Sequence, residues 1–90
     1  MTEIIINEID LTTFKVTVVA PMPTNHQVTV HLSYALSLTA SKISTQQLLK
    51  NSFEFLLARE PNTSILRSFD LSVINRYFPE YEQAMRNQLK

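Results

Sequence analysis

The chain has 90 residues, 8 acidic and 8 basic side chains, and therefore zero formal net charge. That length supports one domain with one core, and balanced charge gives no long-range field to gather it onto nucleic acid or an anionic membrane. Absence of cysteine excludes disulfides and thiolate zinc sites, and absence of glycine excludes the phosphate-cradling loops of nucleotide-binding folds, whose backbones need it.

Isoleucine-rich Glu3 to Ile6 has the β-branched composition of a short strand. From Phe14 the residues alternate, with Phe14, Val16 and Val18 on one side and Lys15, Thr17 and Val19 on the other, as in a strand with one wet face. The segment Pro21-Met22-Pro23-Thr24-Asn25 interrupts this pattern, because proline cannot donate to a ladder. Alternation then resumes, with Val28, Val30 and Leu32 inward and Gln27, Thr29 and His31 outward. The two runs form a hairpin, with the N-terminal strand beside it. Its histidines, His26 and His31, lie five apart on opposite faces, so they share no metal and read as partly exposed hairpin residues.

The stretch over residues 34–41 has two readings. Leu32, Tyr34, Leu36 and Leu38 extend the strand period, whereas Ser33 could cap a two-turn helix carrying Tyr34 and Leu38. The helix is favoured, because a strand of a dozen residues is unusual in so small a domain.

Ser44-Thr45-Gln46-Gln47 is a capping-box pattern, with Ser44 as N-cap. Leu48, Leu49, Phe53, Leu56 and Leu57 follow at helical spacing, Phe55 widens the apolar surface, and Pro61 stops the helix. A face that wide belongs at the core, and Phe53→Ala should cost about 3–5 kcal/mol. Next, Asn62, Thr63 or Ser64 caps a helical turn carrying Ile65, Leu66 and Phe69, and Asp70 caps Leu71 to Tyr77. Pro79 opens a last helix to Leu89, with Glu80 and Glu82 at its positive end and Arg86 and Lys90 at its negative end.

These elements predict an α+β fold: a two- or three-stranded antiparallel sheet packed on a central amphipathic helix, followed by short C-terminal helices. Residues 1–33 form the hairpin region and residues 34–90 the helical region of one domain. The N-terminal sequence lacks the basic and long apolar parts of a signal peptide, so a cytoplasmic location is expected.

No serine elbow or triad spacing is present, and the carboxylates fall on caps and helix surfaces, so no enzyme, metal or cofactor is expected. The expected class is a non-catalytic binding or assembly module, acting as a homodimer or on a protein partner. Phe55, Arg59, Glu60, Arg67, Arg76 and Tyr77 are the candidate partner surface, since interfaces enrich aromatics and arginine. The competing reading of the same polar residues is a network tying helix ends together, with Arg59 capping carbonyls.

The stretch LLKNSFEFLLAREPNTSILRSFDLSVINRYFPEYE, Leu48 to Glu82, resembles a family of small bacterial proteins of unknown function. These pair an N-terminal hairpin with a helix ending in an SFEFLLxREP pattern, followed by SIL..F.L.VI..YFPEYE. The resemblance implies a shared fold and a bacterial origin, and no activity. A second resemblance is to ribbon-helix-helix DNA-binding proteins, whose strand, helix and capped-helix order VTVHLS and ISTQQLLKNSFEFLL follow. It implies a dimeric regulator or antitoxin with Gln27, Thr29 and His31 facing bases in the major groove. The outward strand face carries no arginine or lysine, which disfavours nucleic acid as the partner.

Overall fold

The structure, a computed structural model, describes residues 3–88. Expectations for Leu89 and Lys90 in the last helix lie outside the described residues. The fold is α+β: four strands form one mixed sheet in the order β1-β2-β3-β4, accompanied by four helices.

β1 (Glu3–Glu8), β2 (Thr13–Val19) and β3 (Thr24–Thr29) form an antiparallel meander. The period-two pattern holds, with Phe14, Val16, Val18 and Val28 buried while Lys15, Val19 and Gln27 face outward and are exposed. In the glycine-free turn between β1 and β2, the Asp10 carboxylate accepts backbone N–H bonds from Thr12 (2.9 Å) and Thr13 (2.8 Å). This is the side-chain mimicry of a backbone turn that aspartate performs well.

Leu32 opens a helix instead of continuing β3. α1 spans Leu32–Thr39, and Leu32 itself is exposed, against the inward position the alternation assigned it. Ser33 does not cap this helix; His31 occupies the N-cap position without a side-chain cap bond. At its other end Ala40 (φ 50°) and Ser41 (φ 62°) both take the left-handed conformation, which costs about 1–2 kcal/mol per residue outside glycine.

α2 (Thr45–Leu57) starts at the expected N-cap, Ser44 Oγ accepting the Gln47 N–H at 3.1 Å, but the Gln47 side chain, which a capping box would send back to Ser44, donates forward to Asn51 Oδ1 at 2.8 Å. Its wide apolar surface is used on two sides. Phe53, fully buried, tilts against His26 of β3, with ring centroids 5.4 Å apart. On another side Ser52 donates to the Leu48 carbonyl at 2.7 Å and meets the Tyr81 hydroxyl at 2.6 Å, deep under α4 (Tyr81–Asn87). The serine proton is committed to Leu48, so the tyrosine donates.

The expected sheet of two or three antiparallel strands is corrected here. Ile65, Leu66 and Phe69 do not share a helical turn. A 3-10 turn over Asn62–Ser64 is followed by extended chain, and β4 (Ser68–Asp70) adds to the sheet parallel to β3. Parallel pairing allows Phe69 to sit beside Val28 on the core face. Asp70 caps the next turn, as expected, accepting from the Ser72 N–H at 3.0 Å. That 3-10 turn (Leu71–Val73) leads into α3 (Ile74–Tyr77).

Candidate functional site

A chain of hydrogen bonds sets the path between α2 and β4. Asn62 Nδ2 donates to the Met22 carbonyl (2.8 Å) and to Thr24 Oγ1 (2.9 Å). Thr24 Oγ1 lies 2.8 Å from His26 Nε2, and His26 Nδ1 lies 2.7 Å from the Leu66 carbonyl. A carbonyl only accepts, so Nδ1 carries the proton and Nε2 accepts the threonine O–H. His26 is 1% exposed, not the partly exposed residue its composition suggested. Burial holds its pKa below the ordinary value, the Leu66 bond opposes that shift, and the positive charge of Arg67 adds to it. The Gln27 N–H bonding the Arg67 carbonyl at 2.7 Å completes the attachment. Together these bonds hold Ile65 in the core and leave Leu66 at the surface.

That placement opens a groove of about 330 Å³ between the end of α2, the 64–66 segment and α3. Leu56, Ile65, Phe69 and Ile74 form its apolar floor, and Phe78 adds to the apolar lining. At the rim Tyr77 is 66% exposed and Leu66 47% exposed. Glu60 is its one charged lining residue. The volume is at the lower end of ligand pockets, suited to one or two apolar side chains.

The expected partner surface divides. Glu60 and Tyr77 come together on the groove, while Arg76 is exposed on α3. Arg67 is exposed, and its backbone serves the sheet through Gln27. Phe55 is corrected outright: it is 6% exposed, covered edge-on by Phe78 (5.9 Å) and Tyr81 (5.4 Å). A sheet alone could not cover it, and α4 does. Arg59 is a strut. Its guanidinium stacks 3.5 Å from the Phe55 ring centre, donates to the Phe55 carbonyl at 3.0 Å and reaches Glu80 at 3.4 Å. Leu66, Phe69, Ile74 and Phe78 were not among the expected site residues. Leu66 beside Arg67, an apolar residue with no helical partner once the helix reading fails, was the available signal.

The three residues of the DNA-binding reading are also separated. Gln27 is exposed and Thr29 half-buried on β3, but His31 lies beyond the strand, its Nε2 2.9 Å from an Asp70 carboxylate oxygen. β3 is paired on both edges, to β2 and to β4.

Among the described residues no group of three or more His, Asp or Glu side chains could hold a metal ion. Buried side-chain polar atoms there all have hydrogen-bond partners. No described helix is long and apolar enough to cross a membrane. Comparison with protein-family models, curated proteins and solved structures finds no match to this chain.

Proposed function

We propose that the protein is a non-catalytic binding or assembly module, and that a protein partner inserts apolar side chains into the groove framed by Leu66 and Tyr77. The observation that supports this reading is the pairing of an apolar floor with two exposed rim residues, Leu66 on the segment tied down by His26 and Gln27 and Tyr77 on α3. An exposed tyrosine beside an apolar pocket is the kind of residue that dominates interface energetics once a partner covers it. Glu60 at the rim favours partners carrying lysine or arginine next to the apolar anchor. The alternative, a DNA-binding dimer reading bases through Gln27, Thr29 and His31, is the weaker proposal. Its strand would have to leave β2 or β4 to form an intermolecular ribbon, and the chain carries no net positive charge.

The test is selection of a peptide library on the wild-type protein, followed by titration of the winners on Tyr77→Ala and Leu66→Asp. Binding weakened about tenfold or more by each, an anchor-sized loss, with amide shifts confined to residues around the groove, supports the proposal. Winners that bind both variants as well as wild type, or shift amides elsewhere, reject it.

A further inference from the structure

The two edges of the sheet are unlike. β4 is three residues long, and its Asp70 is engaged by Ser72 and His31, so that edge is short and capped by polar contacts. β1 is six residues long and has neither proline nor lysine. Its two charged residues, Glu3 and Glu8, lie at its ends, and the central Ile4-Ile5-Ile6-Asn7 carries none of the charges or prolines that discourage a second strand from pairing.

The phase of its free hydrogen bonds is set by its neighbours. Ile9 N–H donates to the Thr13 carbonyl and Val30 N–H to the Thr12 carbonyl. Hydrogen-bonded pairs alternate along an antiparallel ladder. The odd residues of β1 therefore turn their N–H and C=O groups toward β2, and Ile4, Ile6 and Glu8 turn theirs outward. On the core side of this edge, Ile4 and Ile6 line a shallow groove of about 260 Å³ with Gln46, Gln47 and Lys50 of α2. On the outer face Ile5 is 39% exposed.

We propose that the occupant of this edge is a second copy of the chain, its β1 antiparallel to the first and centred on Ile5. Residues facing each other across a ladder point to the same side of the sheet, so a twofold axis must pass midway between one residue and its own copy. Centred on Ile5, the pairing sets Ile4 against the second copy's Ile6 over the groove, both with free bonding groups. Ile5 meets its own counterpart on the outer face. Glu3 then faces the second copy's Asn7, whose β2 neighbour is Lys15, giving a Glu-Asn-Lys row with opposite charges at its ends. Centring on Ile6 instead puts Glu8 opposite Ile4 and Asn7 opposite Ile5, and leaves one isoleucine pair where the first register has three. The isoleucines and the charges select the first register. Joined this way, the two sheets become one, and the partner grooves beside each β4 lie at its far ends, making the dimer bivalent. The inference stands independently of what those grooves bind.

The chain has no cysteine, so Ile5→Cys introduces a single thiol. Facing residues in a non-hydrogen-bonded pair are about 4.5 Å apart at Cα, within the roughly 4.4–6.8 Å span of a disulfide. On mild oxidation Ile5→Cys forms a covalent dimer, while Asn7→Cys, far from its own counterpart in this register, does not. By sedimentation equilibrium the wild type is a dimer and Ile5→Lys, which sets two ammonium groups face to face on an exposed position, is a monomer with wild-type circular dichroism. A wild type that stays monomeric at high micromolar concentration overturns the proposal. So does a dimer indifferent to Ile5→Lys, or one that cross-links through Ile6→Cys or Asn7→Cys in preference to Ile5→Cys.

Discussion

Replacing His26 with alanine cuts the hydrogen-bonded chain that runs from Asn62 through Thr24 to the Leu66 carbonyl. Two effects combine. The Leu66 carbonyl loses its side-chain donor in a part-buried setting, costing about 1–3 kcal/mol. The lost ring, buried against Phe53, leaves a cavity comparable to other large-to-small core changes. Together the loss should be about 3–5 kcal/mol, out of a total stability of roughly 5–13 kcal/mol for this length. The same geometry gives a pH dependence of definite sign. The folded state holds His26 neutral with its pKa lowered, chiefly by burial, whereas the unfolded chain protonates it near the ordinary value of about 6.5. Its contribution is therefore complete above about pH 6.5 and is lost as pH falls toward the depressed folded value, by at most about 1.4 kcal/mol per pH unit. The assay is urea unfolding of wild type and His26→Ala between about pH 7.5 and 5, where titration of the carboxylates cancels in the difference. The gap between the two proteins should narrow with acid. A constant gap, or an imidazole titration midpoint in the folded protein at or above about 6.5, would refute the account of a buried neutral clasp.

Asp70→Ala should cost about 0.5–2 kcal/mol in urea through loss of the cap on Ser72, and should leave peptide binding at the groove intact; full stability with binding lost would make Asp70 a site residue. Ala40→Gly should stabilise the fold by about 1 kcal/mol, read as a higher urea midpoint, because glycine accepts the left-handed conformation that alanine is forced into; a lower midpoint would show that Ala40 is not strained. Duplex DNA, random or from the protein's own promoter, should bind no tighter than the non-specific range of about 10⁻⁴–10⁻⁶ M in fluorescence anisotropy at two salt concentrations. Nanomolar binding lost in Thr29→Ala and His31→Ala would instead favour the DNA-binding reading.

Local rules settled much of this molecule. The alternation from Phe14 to Val30 determined which face of the meander is buried, because a strand's side chains can only alternate. Ser44 and Asp70 were legible as caps because a cap needs only a short polar side chain and the next few backbone N–H groups. Arg59 as a carbonyl cap needed only the turn before it. Features that depended on distant partners were decided by the tertiary structure alone. Phe55 looked like surplus apolar surface until α4, some 25 residues later, covered it. The segment Ser68–Asp70 is too short to announce itself as a strand, and becomes one because His26 and Gln27, about 40 positions earlier, hold its approach. The groove exists for the same reason: it lies between segments whose separation in sequence carries no periodicity, and only the closed fold brings Glu60, Leu66 and Tyr77 to one rim.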